Sequence, residues 1–381
     1  MSEAEDTTWA NVVYINSNLG RGGGEEVCRQ WAAYLRRGGA GVGIINLGPN
    51  ADVRPSFEAL GCQVVQVDMH RDIDAVRSLR RLRRAVQAMR PNIVHTIGNP
   101  ADLYGSVVAR SLRIPAVLAC GQNTLESWTT RARSAVAGRL VHRYVAASEA
   151  CARSLRDDAH VPAHKIRVIH NGLDFGSLHE IRCTEPGQLR SELGLHASVP
   201  IVGTIGSLKD QKNYPRWLRI AAGVAMKVPD SHFVIIGGGP LEQELREVAA
   251  EYDLNGKIHL LGARADAQQL LRDFSVFLLA SDREGFGLVL AEAQFLGIPV
   301  VATASGGVAE VVRDGVTGQV FPPSEEDAIA SACVAVLLQP ESVRAMVAAG
   351  PAWVESAFDG TRMSQQVCAE YRRVLDEAAD G

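Results

Sequence analysis

The chain has 381 residues, of which 46% are hydrophobic and 22% are charged, and its formal net charge is −4. This length fits two domains of roughly 150–200 residues better than one hydrophobic core, and the composition excludes a disordered chain. Nucleic-acid-binding proteins normally have a basic excess. The acidic balance therefore predicts no nucleic-acid partner.

The seven cysteines are odd in number and form no C-x-x-C pair. This pattern is typical of reduced, buried thiols, and it argues against a disulfide framework or a zinc site. The first ten residues are acidic and contain no apolar signal region, and no run of about 18 apolar residues is present. These features predict a cytoplasmic protein, either free or at the inner membrane surface.

Short apolar runs in the first half of the chain predict buried parallel strands, with helical patterns between most of them. This alternation is typical of a doubly wound α/β sheet. The predicted strands cover residues 11–16, 41–47, 63–67, 92–96, 116–120 and 144–147.

The same alternation begins again after residue 175 and predicts a second Rossmann-like domain. Its predicted strands cover residues 201–205, 232–236, 258–261, 275–279 and 299–303. We expect domains over residues 1–175 and 176–357, a linker over 175–188, and a final helical segment, 358–381, that returns to the first domain. Ligands of such sheets bind beyond the carboxyl ends of the strands, which predicts a site in a cleft between the domains.

Two glycine-rich loops follow predicted strands and suit phosphate binding. The first contains Gly22, Gly23 and Gly24 and leads into a helix, so unobstructed amides and the positive helix end face the loop. The second contains Gly239 in the run GGGP. Neither completes the dinucleotide fingerprint, since Glu25 stands where the first loop needs a third glycine, and this disfavours an NAD-dependent dehydrogenase. A flexible turn and a tight strand-to-helix turn are the alternatives.

The run EGFGLVLAE gives the strongest signal, because it places two carboxylates, Glu284 and Glu292, around a helix start. Gly285, Phe286 and Gly287 fall at the helix N-terminus, where their amides face outward. An ionised carboxylate accepts two or more hydrogen bonds, so the pair suits a ligand with several hydroxyl groups. The alternative is a helix-start acid followed by an unrelated surface glutamate.

Three further features have both a functional and a structural interpretation. Lys212 follows the strand 201–205, where a pyrophosphate needs a cation, although loop lysines are usually just solvated. His95 ends the run PNIVHT and suits a contact with the acceptor or the donor sugar, although a core histidine fits equally well. Asp72 and Asp74 resemble a metal-binding DxD motif, but they more readily open the next helix.

That helix has a basic stripe at positions i, i+3, i+4 and i+7. We interpret it as a contact with an anionic membrane or with a phosphate-bearing acceptor. A solvated outer face of a packed helix explains it equally well. The stripe consists of Arg77, Arg80, Arg81 and Arg84.

Together these motifs make the chain resemble the retaining glycosyltransferases of family 4, the group 1 family, over nearly its whole length. The element E-x7-E followed by GxPVVAT and GGxxEVV is highly specific. The resemblance rests on GGGE, PNIVHT, VAASEA, KIRVIHNGLDF, VIIGGGP, HLLGARAD, EGFGLVLAEAQFLGIPVVAT and SGGVAEVVRDGVTG. It implies a GT-B fold with two Rossmann-like domains.

The resemblance also implies roles for individual residues. Glu292 would bind the ribose of a nucleotide-sugar donor, Glu284 and the following three amides would bind the transferred sugar, and Gly262 and Arg264 would contact the base. Lys212 would neutralise the pyrophosphate. The residues implied to bind the donor phosphates are Gly22, Gly23, Gly24, Ser207, Lys212 and Gly239.

Two positions depart from the family pattern. Ser207 stands where an arginine is usual, and Lys209 is a candidate substitute. Loss of one charge-assisted contact costs about 1.5–3 kcal/mol, so weaker donor binding is expected. The family's histidine after the strand 116–120 is replaced by the segment CGQN, which makes Asn123 the candidate catalytic residue there, beside His95, Lys212 and Glu284.

The implied reaction is transfer of a hexose-type sugar, with retention, from a UDP- or GDP-sugar to an unidentified hydroxyl acceptor. That acceptor is a glycolipid, a polysaccharide intermediate or a small natural product. The resemblance implies front-face attack and neither a cofactor nor a metal. A non-catalytic partner protein with the same fold and a sugar-nucleotide epimerase are the alternatives.

Overall fold

The computed structural model of the chain describes residues 5–69, 75–125, 127–252, 254 and 256–380. It divides into two compact units, the first made of residues 1–172 and 360–381 and the second of residues 173–359. These boundaries lie within three residues of the expected domain boundaries. The pair Asp72 and Asp74 lies outside the described residues.

The first unit contains a seven-stranded parallel sheet with the order β3-β2-β1-β4-β5-β6-β7. The strands are β1 (Asn11–Asn16), β2 (Gly41–Asn46), β3 (Gln63–Gln66), β4 (Ile93–Ile97), β5 (Ala116–Gly121), β6 (Arg143–Ala146) and β7 (Ile166–Val168). The chain runs outward from β1 to β3 and returns beside β1 as β4. Ligands of doubly wound sheets bind beyond the carboxyl ends of the strands at such a reversal.

The second unit contains a six-stranded parallel sheet with the order β10-β9-β8-β11-β12-β13. The strands are β8 (Ile201–Ile205), β9 (His232–Ile236), β10 (Ile258–Leu260), β11 (Val276–Leu279), β12 (Val300–Thr303) and β13 (Gln319–Phe321). Its strand order reverses between β8 and β11. Every predicted strand is present in one of the two sheets, with ends displaced by at most one residue.

Two strands of the structure, β7 and β13, were not predicted. Each has three residues, lies at the outer edge of its sheet and is only half-buried. An edge strand needs no long apolar run, so hydrophobic periodicity does not reveal it.

Helices connect successive strands in both units. In the first unit they are α1 (Gly23–Arg37), α2 (Arg54–Ala59), α3 (Ala75–Met89), α4 (Ala101–Ser111), α5 (Trp128–Leu140), α6 (Glu149–Asp157) and α16 (Gly360–Ala379). In the second they are α7 (Phe175–Cys183), α8 (Gln188–Glu192), α9 (Tyr214–Lys227), α10 (Glu242–Glu251), α11 (Ala267–Leu270), α12 (Leu288–Phe295), α13 (Val308–Val311), α14 (Glu326–Leu338) and α15 (Arg344–Ala357). Among the described residues no single helix is long and apolar enough to cross a membrane, although α14 and Pro340–Ala357, bent by 107°, meet that test as a pair.

The segment predicted as a linker is mostly helical, so that prediction is wrong. The Asp174 carboxylate accepts a hydrogen bond of 3.2 Å from the Gly176 amide and caps α7, as aspartate does at many helix starts. Leu178 and Ile181 are then buried on one side of the helix. The cap by Asp174 and the burial of two apolar side chains stabilise a helix here, although the polar composition of the segment predicted a linker.

The C-terminal helix α16 belongs to the first unit and packs against α1. The hydroxyl oxygen of Tyr371 lies 3.1 Å from that of Tyr14 and 2.7 Å from Nδ1 of His95. The Arg143 guanidinium forms an ion pair of 2.5 Å with Glu377 near the end of the helix. Buried polar contacts and an ion pair therefore hold the helix against the first sheet, where the returning segment was expected.

A buried carboxyl group lies in the first turn of α4. Asp102 is 4% exposed and accepts a hydrogen bond of 2.8 Å from the Thr96 hydroxyl. Burial raises the pKa of Asp102 to about 7, because the charged form loses its hydration, and the bond from Thr96 only partly opposes this. The folded protein thus keeps a proton that the unfolded chain loses near pH 4.

We expect Asp102→Asn to remove a pH-dependent part of the stability. The contribution of Asp102 is fully present below pH 3.8, the ordinary pKa of aspartate, and is lost as the pH rises to about 7. The loss is at most about 4 kcal/mol, since one pKa unit corresponds to about 1.4 kcal/mol. In urea denaturation, the free energy of unfolding of the variant relative to that of the wild type should be more favourable at pH 8 than at pH 5. An equal stability difference at both values would contradict this titration.

Candidate active site

Two opposite charges meet at the carboxyl edge of the second sheet, where its strand order reverses. Lys212 ends a short 3-10 segment after β8, and Glu284 lies between β11 and α12. The Nζ atom of Lys212 is 2.5 Å from Oε2 of Glu284, and each side chain is 11% exposed. The Ser281 hydroxyl lies 3.4 Å from the same oxygen. The sequence suggested separate ligand groups for these two residues, whereas the structure pairs them directly.

Close backbone packing holds the loop that carries Glu284. The Gly307 amide donates a hydrogen bond of 2.8 Å to the Glu284 carbonyl. A Cβ atom on Gly306 would lie 1.9 Å from that carbonyl oxygen, and one on Gly307 would lie 2.4 Å from the Gly285 carbonyl oxygen. Only glycine fits this approach, which explains the SGG run after β12.

Glycines also join the loops that follow β8 and β9. A Cβ atom on Gly237 would lie 1.8 Å from the Gly206 carbonyl oxygen, and one on Gly239 would lie 2.5 Å from the Leu208 carbonyl oxygen. The GGGP run therefore makes a tight strand-to-helix turn, the alternative considered from the sequence. This packing brings Gly239 against the loop that contains Ser207, at the edge predicted for the donor phosphates.

The run after Glu284 contributes backbone to this edge. Phe286 is 2% exposed, and its ring meets that of Phe358 edge to face, with centroids 5.2 Å apart. Gly287 has a left-handed φ of 93° and caps α12, a conformation that glycine adopts without strain. Gly285, which directly precedes Phe286, is also buried. The N-terminus of α12 thus lies close to Glu284 in the chain, and the contact of these amides with a sugar stays a prediction.

Glu292 has a partner that the sequence analysis missed. Its Oε1 atom accepts a hydrogen bond of 2.8 Å from the Gln268 side chain on α11. The two residues are 24 positions apart, and no motif links them. Gln268 orients the carboxylate that was predicted to bind ribose.

Arg264 has two carboxylate partners that the sequence did not reveal. Its guanidinium forms ion pairs with Asp266 at 2.7 Å and Glu192 at 2.9 Å, and these raise its pKa. The side chain is thus directed toward carboxylates of its own unit. The contact of the loop that contains Gly262 and Arg264 with a base stays a prediction, and Gly262 has a left-handed φ of 68°.

In the first unit, the glycine loop and the segment after β5 come together. Gly22 is extended and α1 begins directly after it. A Cβ atom on Gly24 would lie 3.7 Å from the Gln122 side chain, whose oxygen accepts a hydrogen bond of 2.8 Å from Asn171. Asn123 is exposed at the same carboxyl edge. The predicted glycine loop and Asn123 thus lie at the carboxyl edge of the first sheet, the edge at which doubly wound sheets bind ligands.

His95 is a core residue, and the predicted contact with a substrate is wrong. It lies in the middle of β4, which continues to Ile97, and it has no exposed surface. Its ring stacks on Trp31 with centroids 5.0 Å apart, and Nδ1 lies 2.7 Å from the Tyr371 hydroxyl. Burial lowers the pKa of His95 to about 3, so its imidazole stays neutral in the folded protein.

Both units match known families of sugar-transferring enzymes. Residues 187–353 match the family of glycosyl transferases group 1, and residues 21–176 match glycosyltransferase family 4. The chain therefore belongs to the group 1 glycosyltransferases of family 4. The two parallel sheets are the Rossmann-like domains of the GT-B fold.

Curated relatives include enzymes with different donors. The chain is 27% identical over 285 residues to a UDP-Gal:alpha-D-GlcNAc-diphosphoundecaprenol alpha-1,3-galactosyltransferase of Escherichia coli, an alignment covering 69% of this chain and 71% of that protein. It is 30% identical to a D-inositol 3-phosphate glycosyltransferase of Mycolicibacterium paratuberculosis, over 59% of this chain and 51% of the relative. It is 33% identical to a GDP-mannose-dependent alpha-(1-6)-phosphatidylinositol monomannoside mannosyltransferase of Mycolicibacterium smegmatis, over 44% and 46%. The chain spans about half the length of the last two.

Solved structures share the whole fold. HepE of Anabaena, in complex with UDP and glucose, superposes with a TM-score of 0.83 at 20% identity, over 95% of this chain and 99% of that one. WaaG, a glycosyltransferase involved in lipopolysaccharide biosynthesis, gives a TM-score of 0.76 at 13% identity, over 94% and 99%. At these identities the likeness concerns the fold alone.

We expect opposite effects on nucleoside diphosphate binding when the two members of the ion pair are changed. Glu284→Gln leaves the largely buried ammonium group of Lys212 without its countercharge and should tighten binding, whereas Lys212→Gln should weaken it. Each change should be about tenfold, within the range of 5–150-fold usual for coupled sites. Titration calorimetry with UDP and GDP measures both. Weaker binding by Glu284→Gln would show that its carboxylate does not compete with phosphate for Lys212.

Proposed function

We propose that the protein is a retaining glycosyltransferase that moves a hexose-type sugar from a UDP- or GDP-sugar to a hydroxyl acceptor. The Lys212–Glu284 pair carries this proposal. A nucleotide sugar presents a charged diphosphate next to a ring of hydroxyl groups. The pair offers an ammonium group to the first and a carboxylate to the second, in a place largely withdrawn from water.

The choice of UDP or GDP draws on the relatives, whose names contain UDP-galactose and GDP-mannose. In this proposal the Glu292 carboxylate, oriented by Gln268, binds the ribose hydroxyls. The Gly262 backbone contacts the base.

The proposed transfer exchanges one bond at the anomeric carbon. The bond from this carbon to the diphosphate oxygen breaks, and the acceptor oxygen bonds on the same face. The acceptor proton passes to the departing phosphate oxygen. Negative charge develops on the diphosphate, and Lys212 and the amide end of α12 stabilise it. This scheme requires neither a metal nor a protein nucleophile.

A thermal-shift panel tests the proposal. We expect UDP or GDP, or one of their sugars, to raise the melting temperature with or without EDTA, whereas ADP and TDP should not. A ligand at 100 times its dissociation constant adds about 2.7 kcal/mol. Suppression of the shift by EDTA would contradict the metal-free scheme. A panel without any shift would favour the non-catalytic alternative.

The stereochemistry needs a separate readout on the same protein. Proton NMR of the transferred or slowly hydrolysed sugar gives the configuration of its anomeric carbon, and an α-linked donor should yield an α product first. A β product would exclude retention. Conversion of the nucleotide sugar into another nucleotide sugar would indicate the epimerase instead.

We also propose that the helical layer of α3, α4 and α5 contacts an anionic membrane. Residues 75–140 contain eleven arginines, no lysine and two acidic residues, Asp102 and Glu126, and Asp102 is buried. Trp128, at the start of α5, is 77% exposed, and tryptophan favours the membrane interface. The four arginines of the α3 stripe, Arg77, Arg80, Arg81 and Arg84, are exposed.

Co-sedimentation with vesicles of phosphatidylglycerol and phosphatidylcholine tests this contact. Each arginine near an anionic surface contributes about 1 kcal/mol, so changing Arg80 and Arg84 to Glu should weaken binding at least about tenfold. A control that changes Arg37 and Arg153 to Glu alters the net charge equally, on α1 and α6. Equal binding by wild type and the α3 variant would contradict the proposal.

A further inference from the structure

Asp282 connects the two segments that carry Lys212 and Glu284. Its Oδ2 atom accepts a hydrogen bond of 2.9 Å from Nδ2 of Asn213, and its Oδ1 atom lies 2.5 Å from Nη1 of Arg216. Asn213 directly follows Lys212, and Asp282 stands two residues before Glu284. One carboxylate thus bridges parts of the chain that are 69 residues apart.

Further hydrogen bonds restrict the same two segments. The Asp282 amide donates to the Gln211 carbonyl at 2.9 Å. Arg216 donates to the Ala280 carbonyl at 3.1 Å, immediately after β11. The backbone before Lys212 and the strand end before Glu284 are therefore each hydrogen-bonded to Asp282 or to its partner Arg216.

Asn213 is the joint between Lys212 and helix α9. Its φ of 44° is left-handed, a conformation that asparagine adopts more readily than most residues with a side chain. Its Oδ1 atom caps α9 by accepting a hydrogen bond of 3.0 Å from the Arg216 amide, while its Nδ2 atom donates to Asp282. Both polar atoms of this side chain are hydrogen-bonded, so Asn213 links Asp282 to the start of α9 directly after Lys212.

The exposure of the Asp282 carboxylate indicates a role other than folding stability. The Asp282 side chain is 39% exposed and that of Arg216 is 13% exposed, so water reaches the carboxylate and limits the contribution of the pair to stability. Arg216 has another carboxylate neighbour, Glu326 at 3.6 Å, which is also paired with Arg219 at 2.7 Å. Glu326 lies at the start of α14 and does not belong to the segments of Lys212 and Glu284, so it offers a matched control.

We propose that Asp282 is a positioning residue, which sets the place of Lys212 relative to Glu284 and to the donor diphosphate. The inference rests on the proposed function, in which Lys212 binds that diphosphate. A lysine side chain is a flexible four-carbon stem with a point charge.

Titration calorimetry of the full chain with UDP and GDP tests the role. Removing a negative charge near the site should by itself tighten anion binding. We expect the opposite for Asp282→Ala, with binding about fivefold weaker, and less than twofold weaker when Lys212→Gln is already present, because coupled residues are not additive. Asp282→Asn keeps one acceptor oxygen and should fall between the wild type and Asp282→Ala.

Glu326→Ala is the control, since it removes the other carboxylate beside Arg216. Its nucleotide affinity should equal that of the wild type, and Asp282→Ala should lower the melting temperature no further than this control does. Tighter binding by Asp282→Ala, or effects of Asp282→Ala and Lys212→Gln that simply add, would overturn the positioning role. A wild type that binds neither nucleotide, or a Lys212→Gln variant that binds as tightly as the wild type, would overturn the proposed function and this inference with it.

Discussion

Lys212 and Glu284 carry opposite charges, lie on loops after neighbouring strands and are largely withdrawn from water. Each charge is costly to leave unpaired in such a place, so the pair constrains both loops at once. Asp282 fixes the same loops from the solvent side. The sheet topology brings the two loops together. The strand order reverses between β8 and β11, which makes these two strands neighbours, and Lys212 and Glu284 lie on the loops that follow them. The candidate site of the second unit depends on this one contact.

The glycines at this edge of the second sheet permit close packing between loops of the protein itself. Gly237 and Gly239 permit the loop after β9 to touch the loop after β8, and Gly306 and Gly307 permit the loop after β12 to touch Glu284 and its neighbour. Added side chains would clash with carbonyl oxygens in each case. A glycine-rich motif thus indicates close approach, and the approaching group is here another segment of the same unit.

The first unit separates its polar groups by location. Tyr14, His95 and Tyr371 form a buried hydrogen-bonded group that holds α16 on the sheet. The outer layer of α3, α4 and α5 is rich in arginine, although the whole chain has a net charge of −4. Charge that is segregated in this way acts on partners at a distance, whereas buried neutral groups contribute only to packing and specificity.

The sequence by itself determined the two α/β units, eleven of their strands and the position of Glu284 and Glu292 around one helix start. These features follow from apolar runs and from residues close in the chain. Only the tertiary structure decided that His95 is buried beside Tyr371, 276 residues away, that Arg264 pairs with Glu192, and that Lys212 pairs with Glu284. Strands β7 and β13 were likewise identified only from the tertiary structure. Local patterns encode local geometry, while the partner of a long polar side chain is set by packing between segments distant in sequence.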